Sequence, residues 1–269
     1  MRRIPLIVAM LVLGGCNPPR QEAPPLPPAA AVASPALAAA SGAAHQAAAR
    51  FAVLAEGSSR SGQAPLAADP AVGPLVDAVF DTAAVPTQPV ALSQLPDIED
   101  WLSSVATVGR TYVLAGTGAA RDDDPTGPAV AAQVDRNFAA YAPELGRYVD
   151  AQNALMALEA SSMLRQLAAD PGWARDPGHA TGLAALRTGV SGGVGATLAI
   201  LAQPGPTDAW RRGRMPYLLA LTTQVAQLDD AAGLAALRAR AQATYNTTDD
   251  ATLKADLQEM ARTLGRGRG

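Results

Sequence analysis

The stretch that decides the fold class is TGVSGGVGATLAIL, residues 188–201. Its residues Gly189, Ser191 and Gly193 match G-x-S-x-G, the pattern that in α/β-hydrolases places a nucleophilic serine on a turn between a strand and a helix. The residues before it, HATGLAALRTGV (179–190), are typical of a helix, and apolar side chains recur every three or four positions from Leu183 to Leu201. The stretch therefore predicts a helix and an all-α fold.

The order of the residues also argues against a hydrolase. Both histidines, His45 and His179, precede Ser191, whereas the histidine of an α/β-hydrolase follows its serine. The subtilisin order places the histidine first, but it depends on a parallel sheet that this sequence does not predict. A serine hydrolase that uses Ser191 remains the second alternative function, and we assign no catalytic residue.

Four glycines in this helix, at positions 189, 192, 193 and 195, need an explanation, because each costs about 1 kcal/mol relative to alanine in a helix interior. One interpretation is a face of small residues that lets a neighbouring helix approach closely. The other is a helix break beside a ligand pocket, which makes Gly192 and Gly193 candidate ligand-binding residues. A membrane span is a third interpretation, but the apolar run is too short and ends at Pro204 and Pro206.

Composition and periodicity extend the all-α prediction to the rest of the chain. Alanine, the best helix former, supplies 61 of the 269 residues, and aromatic residues supply 4%. Apolar residues at three- and four-residue steps predict a bundle of about six helices. The net charge of −3 gives no reason to expect nucleic-acid binding.

The amino terminus, MRRIPLIVAMLVLGGC (residues 1–16), has the organisation of an export signal. Two arginines precede an apolar stretch that is too short for a permanent membrane span. Leu13, Gly14, Gly15 and Cys16 resemble the lipobox of bacterial lipoproteins. This resemblance implies cleavage before Cys16, lipidation of Cys16 with acyl chains such as palmitate, and anchoring in the cell envelope. In such lipoproteins Asn17, in place of an aspartate, favours the outer membrane, with the domain facing the periplasm.

The domain boundaries follow from shifts in composition. Residues 1–15 are predicted as the signal peptide and residues 16–35, with seven prolines after Cys16, as an extended tether. Residues 36–90 are rich in Ala and Pro, and we expect a region of low order that could contain a helix. Residues 91–265 carry the predicted helical domain.

Three further groups of residues are candidates for binding. Tyr141, Glu144 and Tyr148 fall within two helical turns, so they could line a polar pocket. Asp122–Asp124 lack the spacing of a calcium-binding loop, and one cysteine with two histidines makes a zinc site improbable, so no metal is predicted. Trp210 with Arg211, Arg212 and Arg214 could dock an anionic lipid, a glycan or a partner, or could form the solvated side of a helix.

Glycine motifs for cofactors are incomplete. A P-loop needs a lysine, and the only lysine is Lys254; a dinucleotide fingerprint would need glycine where Leu198 stands. No cofactor is therefore predicted. The first functional hypothesis is a membrane-anchored envelope lipoprotein whose non-enzymatic helical domain binds a protein or a cell-wall component. The first alternative is a helical carrier of a lipid or another small apolar ligand.

Overall fold

The computed structural model describes residues 34–59, 63–117 and 128–266, and every regular element within these ranges is a helix. The eight α-helices of this part of the chain are α1 (Pro35–Ser59), α2 (Gly73–Val79), α3 (Leu95–Thr117), α4 (Pro128–Ala169), α5 (Pro177–Leu201), α6 (Asp208–Leu228), α7 (Ala231–Tyr245) and α8 (Ala251–Gly265). Three short 3-10 turns lie between them, at Thr82–Ala84, Leu92–Gln94 and Trp173–Arg175. The predicted all-α bundle is confirmed, with eight described helices instead of about six.

Side-chain caps define where the helices of the C-terminal half begin. The Asp176 side chain accepts hydrogen bonds from two backbone N–H groups at the start of α5. Thr207, Asp230 and Asp250 begin α6, α7 and α8 in the same way, each accepting from the backbone N–H three residues further on. These caps satisfy N–H groups that no carbonyl of the same helix can reach. Local sequence therefore determines these boundaries.

Helix α4 runs between two hydrophobic cores and contributes side chains to both. It has 42 residues, and Pro143 lies inside it without dividing it into two helices. Val149, Leu155 and Leu158 are buried in the first core, with α1, α2 and α3. Met156, Ala160 and Met163 are buried in the second core, with α5 to α8. The alternation of these positions along α4 gives it two apolar faces, so it forms the centre of the bundle.

The expected boundary near residue 91 does not coincide with a break in packing. Helix α1 starts at Pro35 and buries Leu37 and Phe51 in the same core as Trp101 of α3. Its inward face repeats every three or four residues (Leu37, Ser41, Ala44, Ala48, Phe51 and Ala55), and every member is buried. Because half of this face is alanine, the composition resembles that of a low-order segment although the spacing is helical. Residues 35–59 and 73–79 thus belong to the helical body rather than to a region before it.

Helix α5, which contains the stretch 188–201, is part of the second core. Val190, Val194 and Leu198 are almost completely buried there. Among the described helices, α5 alone is long and apolar enough to cross a membrane, and 44% of its most apolar 18-residue window is buried inside the protein. These apolar residues pack against α4, α6 and α7 in the folded domain.

Candidate functional site

Tyr141 and Glu144 of α4 hold the segment 63–67, which lies between α1 and α2. Tyr141 Oη accepts a hydrogen bond from the backbone N–H of Ala64 at 3.1 Å, and Glu144 Oε1 accepts one from the N–H of Ala67 at 2.9 Å. Tyr112 Oη of α3 donates to the carbonyl oxygen of Pro65 at 2.9 Å. We call Tyr112, Tyr141 and Glu144 the clasp. Two of the predicted ligand-binding residues therefore bind backbone groups of the chain itself.

The clasp is a buried group of one carboxylate and two phenols. Glu144 is 4% exposed, and its Oε2 has no hydrogen-bond partner within the described residues. Burial raises the pKa of Tyr112 well above its usual range, and the charge of Glu144 acts in the same direction. The Tyr112 phenol therefore stays protonated and remains a donor to Pro65. The centroids of the Tyr112 and Tyr141 rings lie 6.1 Å apart, so the two rings also pack against each other beside the segment.

Tyr148, the third predicted member of this group, has a different role. Its ring lies on Gly109 of α3, and its centroid is 6.1 Å from that of Phe80. Burial raises the pKa of the Tyr148 phenol to about 12. The glycine is required at position 109 because a Cβ would lie 2.7 Å from Tyr148 Cγ. Tyr148 therefore joins α3 to α4 by close packing.

Gly193 and Gly192 lie on different sides of α5 and belong to the half of the bundle opposite the clasp. Gly193 is buried, and a Cβ there would clash with Met156 Cε and lie 3.1 Å from Met156 Sδ. Gly192 is exposed. The space beside Gly193 is thus filled by a methionine side chain of α4. The structure does not bring these glycines together with Tyr141, Glu144 and Tyr148.

Ser191 donates a hydrogen bond from Oγ to Asp229 Oδ2 at 2.8 Å, and this bond joins α5 to the end of α6. His179 lies twelve residues earlier in the same helix, which is about 18 Å along the axis at 1.5 Å per residue. Its ring stacks on Trp173 with the centroids 4.2 Å apart. His45 is on the exposed side of α1. Neither histidine is therefore arranged with Ser191 and Asp229 as a catalytic base.

The arginines of α6 are engaged in ion pairs. Arg211 pairs with Asp208 at 2.8 Å and is 7% exposed. Arg212 pairs with Asp250, the cap of α8. The Arg212 pair ties the start of α6 to the turn between α7 and α8, whereas the Arg211 pair lies within α6. Arg211 and Arg212, for which the sequence left open a docking surface or a solvated helix side, thus form ion pairs within the fold.

A buried polar contact between α4 and α6 was not predicted from the sequence. Arg214 Nε donates to Asp150 Oδ1 at 2.6 Å, and its guanidinium lies 5.1 Å from the centroid of the Trp210 ring. Burial raises the pKa of Asp150 to about 6, although the charge and hydrogen bond of Arg214 oppose this effect. In the sequence, Arg214 was considered only within the cluster around Trp210 and Asp150 was not considered, and the two residues are 64 positions apart, so local spacing could not predict their pairing.

A groove between α7 and α8 is a further candidate that sequence reasoning missed. Its volume is about 290 Å³, and its lining residues are Ala241, Gln242, Tyr245, Leu257, Gln258, Ala261 and Arg262. Gln258 Nε2 donates to Tyr245 Oη at 3.3 Å, and Lys254 Nζ lies 5.3 Å from the centroid of the Tyr245 ring. The groove combines a small apolar floor with amide, phenol and cationic groups, a composition suited to a polar ligand with short side chains.

Comparison with known proteins adds no family to these observations: no protein-family model, no curated protein and no solved structure matches this chain. Cys16 and Asp122–Asp124 lie outside the described residues. Within the described ranges, no group of three or more His, Cys, Asp or Glu side chains is placed to hold a metal ion.

Proposed function

We propose that this chain is a bacterial envelope lipoprotein, anchored through Cys16, whose helical domain binds a protein or a cell-wall component. The observation that carries the proposal is the resemblance of residues 13–16 to a lipobox, placed directly after a basic and apolar signal. Cys16 is also the single cysteine of the chain. Acylation would use this thiol, which otherwise has no cysteine with which to pair inside the mature protein.

The position of the first described helix supports the same proposal. Helix α1 begins at Pro35, so the residues between Cys16 and the helical body are the proline-rich segment 17–34. Eighteen residues in an extended polyproline conformation span about 55 Å at 3.1 Å per residue. A tether of this length would let the helical domain stand clear of the lipid headgroups and reach a partner.

Substitution of Cys16 tests the anchor. The Cys16→Ser variant should lose the mass added by the acyl chains and should leave the membrane fraction after a high-salt wash, while its helical content stays that of the wild type. An Asn17→Ser variant is the matched control, because it changes the neighbouring residue and keeps the thiol. If Cys16→Ser still fractionates with washed membranes, the anchoring proposal is wrong.

A second arm tests the non-enzymatic part of the proposal. A fluorophosphonate probe labels activated serine nucleophiles, and we expect no labelling of this protein. Labelling that disappears in Ser191→Ala would favour a hydrolase. Crosslinking in intact envelopes, followed by recovery of the wild-type protein and of Cys16→Ser, would identify partners that depend on the membrane location.

A further inference from the structure

We propose that the groove between α7 and α8 binds a short peptide with a free terminal carboxylate and small or aliphatic side chains. The proposal deepens the proposed function and rests on it for the location of the ligand, outside the cytoplasm. Its chemistry rests on three features of the groove: its floor, its amide walls and the arginines at one end.

The floor and walls match an extended peptide. Ala241, Leu257 and Ala261 leave a shallow apolar floor, and the volume of about 290 Å³ admits a few small side chains. Gln242 Nε2 donates to Asn246 Oδ1 at 3.2 Å, so this amide is held at the edge of the groove. Gln258 is held by Tyr245 in the same manner. Each amide has a second hydrogen and an oxygen, which match the C=O and N–H groups of a peptide backbone.

One end of the groove has an excess of positive charge. Arg262 and Arg266 share one carboxylate, Glu259, at 2.9 Å and 3.7 Å. Arg238 of α7 is exposed, lies against Gly265 at the end of α8, and makes no ion pair with a described residue. Arg262 lines the groove, and Arg238 and Arg266 lie beside it at the end of α8, where the helix C-terminus carries a partial charge of about −0.5. The arginines complement a carboxylate, which guanidinium groups bind through paired hydrogen bonds.

The two carboxylates that precede α7, Asp229 and Asp230, are not among the residues that line the groove, and both accept hydrogen bonds from other parts of the chain. Asp230 accepts a hydrogen bond from the backbone N–H of Gly233, and Asp229 accepts from Ser191. At the other end Lys254 pairs with Asp249 at 3.5 Å and lies over Tyr245. The charge pattern therefore gives the groove a direction, with the carboxylate of the ligand between Arg238 and Arg262 and the preceding residues toward Tyr245.

The test uses the chain from residue 16 onward carrying Cys16→Ser, and two probes: acetyl-Leu-Ala-Ala with a free carboxylate and the same peptide amidated. In ¹H–¹⁵N spectra, the free acid should shift the side-chain amide signals of Gln242 and Gln258, and the amidated peptide should bind about tenfold more weakly, as loss of a charge-assisted hydrogen bond predicts. The double variant Arg238→Gln and Arg262→Gln should abolish this preference. Ala261→Leu, which fills the floor, should abolish binding of both probes.

Arg110→Gln is the matched control, because it removes an exposed arginine from α3, a helix of the other core. It should bind both peptides as the parent protein does. Equal affinity for the two probes, shifts confined to other helices, or no shift at any attainable concentration would each overturn the proposal. Shifts of the groove signals with protein concentration alone would show that a second copy of the chain occupies the groove, and would also overturn it. Failure of Cys16 lipidation would leave this titration unchanged, so the two proposals fail separately.

Discussion

The ring of Tyr148 covers Gly109, so that a Cβ on residue 109 would lie 2.7 Å from Tyr148 Cγ. Tyr148 is 4% exposed, so its rigid ring cannot shift without displacing neighbouring groups. We expect Gly109→Ala to destabilise the protein by about 1–3 kcal/mol, as overpacking does, despite the better helix propensity of alanine. The measurement is urea unfolding.

Gly189→Ala is the control for this prediction. Gly189 is also in a helix interior, and nothing lies within 4 Å of the position that its Cβ would take. It should stabilise the protein by up to about 1 kcal/mol. If both substitutions change the free energy of unfolding by the same amount, then the contact between Tyr148 and Gly109 does not determine the packing of α3 against α4.

Gly193 gives a weaker version of the same effect, because its neighbour is flexible. A Cβ there meets the terminal methyl of Met156, which can change rotamer, instead of an aromatic ring. We expect Gly193→Ala to lower the free energy of unfolding by less than Gly109→Ala does. Gly193→Leu should lower it by more than about 1 kcal/mol through overpacking. In a Met156→Ala background, Gly193→Ala should stabilise. A double-mutant cycle with no coupling between positions 156 and 193 would contradict the contact.

The glycine-rich stretch shows how much of the fold the sequence reveals. Its three- and four-residue spacing was sufficient to predict a helix, and helix α5 spans it without interruption. Spacing alone could not identify what fills the space beside Gly193, because Met156 is 37 positions away in sequence. The same limit applies to α1, whose alanine-rich inward face becomes recognisable as core only when Leu37 and Phe51 meet α3.

The candidate sites were less predictable than the fold. The three-residue spacing of Tyr141 and Glu144 correctly placed them on one side of a helix. Their partners, Ala64 and Ala67, lie 77 residues away in sequence and contribute backbone N–H groups, which carry no side-chain signal. The arginines of α6 could be seen in the sequence, but the aspartates that pair with Arg212 and Arg214 come from the turn before α8 and from α4, and only Asp208, which pairs with Arg211, lies in α6 itself.

Ser191 should prove structural. Its hydroxyl bonds to Asp229, so we expect Ser191→Ala to cost about 0.5–1.5 kcal/mol, the usual contribution of one hydrogen bond. Asp229→Asn retains an acceptor oxygen and should cost less than Asp229→Ala. Thermal unfolding of the three variants measures this order. A Ser191→Ala variant as stable as the wild type would show that the bond contributes nothing.

Stability should fall as the pH rises from mildly acidic to neutral. Burial raises the pKa of Glu159 from 4.5 to about 7, with a further contribution from the charge of Glu99. The folded state therefore keeps a proton that the unfolded state releases near pH 4.5, so folding is favoured below that pH and the advantage is lost as the pH approaches 7. Asp150, raised from 3.8 to about 6, acts in the same direction.

Glu159→Gln isolates this effect, because the amide cannot ionise. The variant should lose part of the decrease in unfolding free energy between about pH 5 and about pH 7.5, and should be the more stable protein at the higher pH. Asp249→Asn is the control, since the Asp249 side chain is fully exposed. A Glu159→Gln variant with the pH dependence of the wild type would contradict the assignment.

The hydrogen bonds of the clasp should stabilise the segment 63–67. Tyr141→Phe removes the acceptor of the Ala64 N–H, and Glu144→Ala removes that of the Ala67 N–H. A buried N–H left without a partner costs about 1–3 kcal/mol. We expect each variant to speed hydrogen exchange chiefly at the amide that has lost its acceptor. Each should also lower the free energy of unfolding by about 1–3 kcal/mol.

Glu144→Gln separates the hydrogen bond of Glu144 from its charge. The glutamine keeps a carbonyl oxygen for Ala67 and replaces a buried carboxylate whose Oε2 lacks a partner among the described residues. Because burial of an unpaired charge is costly, this variant should be as stable as the wild type or more stable, with unchanged protection of the Ala67 amide. If Glu144→Gln instead destabilised the protein as much as Glu144→Ala does, the negative charge itself would be required, and a cationic group would have to be sought beside Oε2.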